Sequence, residues 1–364
     1  MRAKIFSFLI VIGIVSLMSF LFGGVDSSRR DDENGENLSN SKAYMAAVSL
    51  AVSAPKVKYQ VSSSTPQFVI LSFDGSKSVT MLNETLAFQQ KMQAENKPLY
   101  FTYFINATYF LTKENAKLYQ APKQVPGISN IGFSDSASDI ALRVAGFNRA
   151  FATGNEIGSH LAGHFNGATW SYNEWQKEFN SFAWLLANVQ KNNPLQKIES
   201  PNFLTEIKGF RAPNLGVNDS LYQVLGDRHF LYDTSGIGSM TAWPKKDAGG
   251  VWRIPLGTIF VGPNKHPLVA MDYNLWQYQS DAGEWNKNYS EVESAYLNYF
   301  KTNYYGNRAP VVIGHHFTKW NDGVYWEALK AFAENVCGLP QVRCATFQDL
   351  VAYLDTTGVP PTIK

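Results

Sequence analysis

The stretch Gly154-Asn-Glu-Ile-Gly-Ser-His-Leu-Ala-Gly-His164 joins a short strand-like segment to two histidines four residues apart. The segment Glu156–Ser159 is predicted to be a short strand, so the histidines follow at its carboxyl end. At this spacing two neutral imidazoles can reach one metal ion such as zinc, although two surface histidines at a helix start fit the spacing equally well. Leu161 stands where a zinc metalloprotease motif needs glutamate, which argues against that class of enzyme.

The segments on either side alternate between apolar runs typical of strands and amphipathic runs typical of helices. This alternation predicts an α/β fold with parallel strands joined by helical crossovers. About seven such units favour a barrel over an open sheet, and the stretch 236–289 is predicted to interrupt it with irregular loops and short strands. The predicted strands are 68–73, 99–105, 156–159, 207–211, 230–233, 310–314 and 343–345. The predicted helices are 79–94, 137–152, 171–190, 218–225, 290–304, 323–335 and a last one ending near 355.

The chain before residue 66 has a different character. Arg2 and Lys4 precede an apolar run over residues 5–25, which is long enough for a signal peptide or a membrane anchor, so residues 1–25 are predicted to be one or the other. Residues 26–65 are rich in Ser, Asn and charge and are predicted to be a linker. The sequence thus predicts an exported protein, periplasmic, cell-surface or extracellular, whose catalytic domain covers residues 66–360.

The composition argues against a nucleic-acid partner, because the net charge is only +2. Aromatic residues make up 14% of the chain, so some can serve as flat faces for sugar rings while most form the core. The loop tryptophans are candidates for substrate subsites or, by default, for loop-anchoring core: Trp243, Trp252, Trp276 and Trp285.

The two cysteines, Cys337 and Cys344, lie close together near the end of the chain. Outside the cytoplasm such a pair is predicted to form a local disulfide.

Side chains of the catalytic type stand at the predicted carboxyl ends of five strands. Each alone has an ordinary explanation as a helix cap, a surface ion pair or a turn residue. In (β/α) barrels, however, the chemistry is carried at the carboxyl ends of the strands. Five strands that end in this way predict an active site at that end of the barrel. The residues are Asp74, His160 with His164, Arg211, Asp233 and His315.

Five short motifs in this order resemble the polysaccharide deacetylase (NodB-homology) family, carbohydrate esterase family 4, over roughly residues 66–355. The resemblance implies a distorted (β/α) barrel with about seven parallel strands, a divalent metal, most often zinc, and removal of N-acetyl groups from amino sugars. The motifs are Ser72-Phe-Asp-Gly75, His160-x3-His164, Arg211-Ala-Pro-Asn214, Tyr232-Asp-Thr-Ser235 and Ile313-Gly-His315.

The resemblance also implies a metal site. His160 and His164 would bind the metal, and Arg211 would keep the catalytic carboxylate ionised by its charge. The family usually has two adjacent aspartates after the first strand, whereas this chain has Asp74 followed by Gly75. Asp74 is therefore expected to be either the third metal ligand or the general base, and one of these duties is left open.

The same resemblance implies the remaining catalytic roles. The backbone N–H of Asn214, where the family usually has tyrosine, would help to stabilise the oxyanion. His315 would be the general acid that protonates the departing amine, and Asp233 would orient it and raise its pKa. The motif register makes the neighbouring His316 the less favoured acid.

These features together predict a metal-dependent polysaccharide N-deacetylase that acts on peptidoglycan N-acetylglucosamine first and chitin oligomers second. The missing second aspartate leaves open a catalytically impaired relative that only binds carbohydrate. A third hypothesis is an enzyme with the same barrel that hydrolyses another C–N bond, in a small molecule such as a cyclic amide.

Overall fold

The computed structural model describes residues 65–194, 196–279 and 283–360. The predicted leader and all but the last residue of the predicted linker lie outside these residues. In the described part of the chain no helix is long and apolar enough to cross a membrane.

The strands form one large sheet and one small sheet. Numbered in chain order, they are β1 (Gln67–Asp74), β2 (Phe101–Ile105), β3 (Glu156–Ser159), β4 (Gly209–Phe210), β5 (Tyr232–Asp233), β6 (Ile237–Ser239), β7 (Lys245–Lys246), β8 (Trp252–Arg253), β9 (Leu256–Val261), β10 (His266–Val269), β11 (Val311–His316) and β12 (Val342–Cys344). The large sheet has the order β11-β1-β2-β3-β4-β5-β8-β7, with β12 beside β1. Every pair in it is parallel except β7 with β8. The curled, mostly parallel sheet confirms the distorted (β/α) barrel.

Helices connect most of the parallel strands, and several begin where the sequence places a cap. The Ser78 side chain accepts a hydrogen bond from the third residue of the first helix, and Ser171 with Glu174 forms the predicted capping box. The helices are α1 (Val79–Ala94), α2 (Ala137–Ala152), α3 (Tyr172–Ala187), α4 (Val189–Asn192), α5 (Asp219–Asp227), α6 (Asp272–Tyr278), α7 (Trp285–Tyr304), α8 (Val324–Val336) and α9 (Phe347–Thr357).

The stretch 236–289 contains the predicted short strands, with β8 inside the predicted 251–254, but it is more ordered than the predicted irregular loops. Strands β10, β9 and β6 form a second, three-stranded sheet there, and α6 follows it. In β9 the side chains of Leu256, Ile259 and Val261 are buried, which ties this small sheet to the core. The Gly- and Pro-rich composition gives no clear strand pattern, so the sequence did not predict this pairing.

The two faces of the large sheet bury different side chains, and this alternation decides which residues reach the site. In β1, Phe68 and Ile70 pack inside the half-barrel, whereas Val69, Leu71 and Phe73 pack against the outer helices. Because successive side chains of a strand point to opposite faces, Asp74 follows Phe68 and Ile70 to the inner face. The end of β1 therefore presents a carboxylate to the mouth of the half-barrel.

The predicted disulfide between Cys337 and Cys344 is present. It joins the end of α8 to β12, which lies beside β1.

Candidate active site

A buried ion pair lies at the mouth of the half-barrel. Arg211 Nη1 is 2.7 Å from Asp74 Oδ1 and 3.0 Å from the hydroxyl of Ser72, and all three residues are buried. The guanidinium also lies over the ring of Phe104 at 4.5 Å. Removing one member of such a pair leaves a buried charge without compensation, at a cost of about 3–5 kcal/mol. The predicted pairing of Arg211 with the carboxylate is thus seen in the structure.

The two histidines after β3 lie together beside this ion pair. Their ring centroids are 4.9 Å apart. His160 Nδ1 lies 2.7 Å from the carbonyl oxygen of Arg211, and since a carbonyl only accepts, Nδ1 carries the proton and Nε2 keeps its lone pair. Burial lowers the pKa of His160, and it lowers the pKa of His164 to about 3. Both imidazoles are therefore neutral at pH 7, as metal ligands must be.

These two histidines could supply two metal ligands, but they do not complete the coordination of a metal ion. In the described ranges no group of three or more His, Cys, Asp or Glu side chains is arranged to hold a metal ion. Gly75, where the family has its second aspartate, has a φ of +91° and open space around the position of a Cβ. The residues thus fit a metal only in part.

His316 joins this cluster and pairs with Asp272, a residue outside the five sequence motifs. Strand β11 continues to His316, which is the register partner of Asp74 on the adjacent β1. Asp272, the first residue of α6, accepts from the His316 backbone N–H at 2.8 Å and lies 2.7 Å from His316 Nδ1. Burial lowers the pKa of His316, but the charge and hydrogen bond of Asp272 outweigh it and raise the pKa overall. In turn, burial raises the pKa of Asp272 and the two neighbouring histidines lower it, with a net lowering.

The structure separates His315 from the other predicted site residues. It lies among the outer-face side chains, with its ring 6.0 Å from that of Phe73 and its Nε2 3.0 Å from the hydroxyl of Tyr296. Its Nδ1 is 3.8 Å from Asp272, beyond hydrogen-bond distance. Burial lowers the pKa of His315 to about 4. The geometry favours His316 over His315 as the acid, because β11 places consecutive side chains on opposite faces.

Asp233 supports the turn after β4 and, among the described residues, makes no hydrogen bond or ion pair with His315 or His316. Its Oδ1 accepts from the Ser235 hydroxyl at 2.5 Å, and that hydroxyl accepts from Ala212 N–H at 2.7 Å. Its Oδ2 lies 3.1 Å from Arg253 Nη1. Burial raises its pKa. The carboxylate beside the histidines of β11 is that of Asp272.

Asn214 is exposed and lies in the turn that follows β4. It has a φ of +54° and the next residue, Leu215, has a φ of +52°. Asparagine tolerates this left-handed conformation better than most residues, which suits a tight turn directly after the strand. The turn brings the Asn214 backbone to the same strand ends as the histidines.

Comparison with known proteins finds no matching family model and no matching curated protein. Solved structures do match. A protein described as a polysaccharide deacetylase from Mycobacterium smegmatis is 17% identical, with 86% of this chain and 97% of that chain covered and a TM-score of 0.49. The Puue allantoinase is 11% identical, with 83% and 99% covered and a TM-score of 0.49. BA3943 from Bacillus anthracis, described as a family 4 pseudoenzyme, is 11% identical, with 80% and 66% covered and a TM-score of 0.41.

Among solved structures, the chain is similar to polysaccharide deacetylases. The five sequence motifs resemble the same family.

Proposed function

We propose that the chain is a hydrolase that removes N-acetyl groups from an amino-sugar polysaccharide and releases acetate. One observation carries this proposal. Asp74, held by Arg211, and His316, held by Asp272, are register partners on adjacent strands and share the inner face. Strands in a sheet lie about 5 Å apart, so a carboxylate and an imidazole with a raised pKa face one small space. Amide hydrolysis needs such a pair, a general base and a general acid that both reach the scissile bond.

In the proposed mechanism, the Asp74 carboxylate accepts a proton from a water molecule, whose oxygen attacks the acetyl carbonyl. The Asn214 backbone N–H donates to the oxyanion that forms. His316, held by Asp272, then gives its proton to the sugar nitrogen as the C–N bond breaks. Water and the N-acetyl group thus become acetate and a free amine.

We also propose that a divalent metal, zinc by the preference of imidazole ligands, binds at His160 and His164 with Asp74 as a candidate third ligand. The two neutral rings at 4.9 Å support this proposal. When bound, zinc polarises a carbonyl and lowers the pKa of its water to about 7.

The proposed substrate is peptidoglycan N-acetylglucosamine first and chitin oligomers second. Aromatic rings beside His316 support a sugar ligand, because Trp320 lies 5.3 Å from the His316 ring and stacks on Trp276 at 5.0 Å. Of the other loop tryptophans, Trp252 is buried in the core and Trp285 stacks on Tyr289, as expected for residues that anchor loops to the core.

We further propose that residues 1–25 direct export or anchor the chain, so that the domain over residues 66–360 meets its polymer outside the cytoplasm. The apolar run behind Arg2 and Lys4 supports this proposal. Fractionation of cells that produce the full chain tests it, and recovery in the cytoplasm alone would contradict it.

Acetate release from peptidoglycan and from chitin oligomers tests the proposed activity, with an Asp74→Asn variant as control. Release that disappears in the variant supports the deacetylase. Retention of the chain on the polymer without acetate, from folded and zinc-loaded protein, supports the impaired carbohydrate binder instead.

A further inference from the structure

The loop that carries the two histidines depends on its surroundings for its shape. Between β3 and α3 the chain forms no helix or strand. Leu161 and His164 both have a φ of +60°. Residues other than glycine keep this left-handed backbone conformation only where neighbouring groups hold them in it. The placement of the two imidazoles is therefore set by contacts from outside the loop.

The carbonyl groups of the loop are held by residues that follow β2. Asn106 Nδ2 donates to the carbonyl of His160 at 2.5 Å. Thr108 donates to the carbonyl of Ala162 twice, from its backbone N–H at 3.2 Å and from its hydroxyl at 3.0 Å. These bonds fix the loop through its acceptors and leave its central amides to be held from elsewhere.

One buried side chain holds those amides. The N–H groups of Ala162 and Gly163 donate to Glu178 Oε1 at 3.2 and 3.0 Å, and the Tyr119 hydroxyl donates to the same oxygen at 2.8 Å. Glu178 lies on α3 and is fully buried. A Cβ on Gly163 would come within 2.3 Å of the Tyr119 hydroxyl, so the fit is tight. Three donors thus converge on one oxygen at the centre of the loop.

We propose that Glu178 is a positioning residue for the His160–His164 pair, acting through Oε1 as an acceptor for the two loop amides. The inference rests on the proposed function for its consequence in catalysis, but the positioning itself is independent of it. The other oxygen, Oε2, is buried and accepts no hydrogen bond from the described residues. The acceptor at Oε1 is therefore the feature that the loop uses, and a glutamine supplies the same acceptor.

Two variants and a control separate this role from general stability. Glu178→Ala removes the acceptor, Glu178→Gln keeps it, and Glu293→Ala removes a second buried glutamate, on α7. The readouts are the imidazole ¹⁵N–¹H NMR signals of His160 and His164, and kcat and KM for acetate release. A displacement of about 1 Å in an active site costs roughly 100-fold in rate, so Glu178→Ala is expected to lower kcat by about that factor through the proposed metal site and to shift both histidine signals. Glu178→Gln and Glu293→Ala are expected to keep the wild-type signals and kcat.

Folded Glu178→Ala protein with wild-type histidine signals would overturn the proposal, and so would a Glu178→Gln variant as impaired as Glu178→Ala. If Glu178→Ala does not fold, shifted histidine signals in Glu178→Gln still overturn the role of the Oε1 acceptor, and unchanged signals support it. If wild-type protein releases no acetate from any polymer, the proposed function fails while the NMR comparison still decides the positioning.

Discussion

Replacing each of the adjacent histidines separately tests the assignment of the acid. A general acid contributes about 100- to 10,000-fold to the rate, which corresponds to about 2.7–5.4 kcal/mol of barrier. His316→Ala is expected to lose that factor in kcat for acetate release, because its imidazole faces the site and pairs with Asp272. His315→Ala is expected to leave kcat within a few-fold, because its imidazole lies on the outer face against Phe73.

His315→Ala is expected to cost stability although it spares activity. His315→Ala leaves the buried Tyr296 hydroxyl without its partner, which costs about 1–3 kcal/mol of unfolding free energy before any loss of packing. Urea unfolding of both variants beside the kcat measurement gives the comparison. A His315→Ala protein that folds but loses activity, beside an active His316→Ala protein, would refute the assignment and restore the acid that the motif register implies.

Three further predictions follow from particular groups. The folded pKa of His315, about 4, lies below the unfolded value of 6.5. Its contribution of roughly 3 kcal/mol to the free energy of unfolding is therefore present above pH 6.5 and is lost as the pH falls through 4. The His315→Gln variant should show a shallower decline in the free energy of unfolding over that range. Removal of metal by a chelator should lower acetate release, zinc should restore it, and His160→Ala should bind no zinc by metal analysis; full activity of the stripped enzyme would refute the metal proposal. The Cys337–Cys344 disulfide closes a short loop with a sequence separation of 7, so Cys337→Ser with Cys344→Ser should cost about 2–3 kcal/mol in urea unfolding, and an unchanged midpoint would contradict this.

The parts of the fold that local sequence determines were predicted well. The helices 79–94 and 137–152 have the predicted bounds, because serine caps and apolar spacing set them within a few residues. The histidine pair was also predictable, because the strand before it and the spacing within it are both local.

The parts that depend on distant pairing were not predictable. The motif pattern ended the late strand before His316, whereas pairing with β1 extends it through that residue. Asp272 reaches His316 across 44 residues from a stretch without a clear periodic signal. A carboxylate directly after a strand-like run, in front of a helix, was the one local signal that could have singled it out.

The strand β11 holds two chemically identical side chains, one peptide bond apart, in opposite surroundings. The side chain of His316 is 25% exposed and that of His315 only 2%. A reagent that acylates accessible imidazoles therefore has a target and an internal standard in the same peptide. Mass spectrometry of that one fragment reports whether a bound polymer covers the mouth of the half-barrel, without any need to measure turnover.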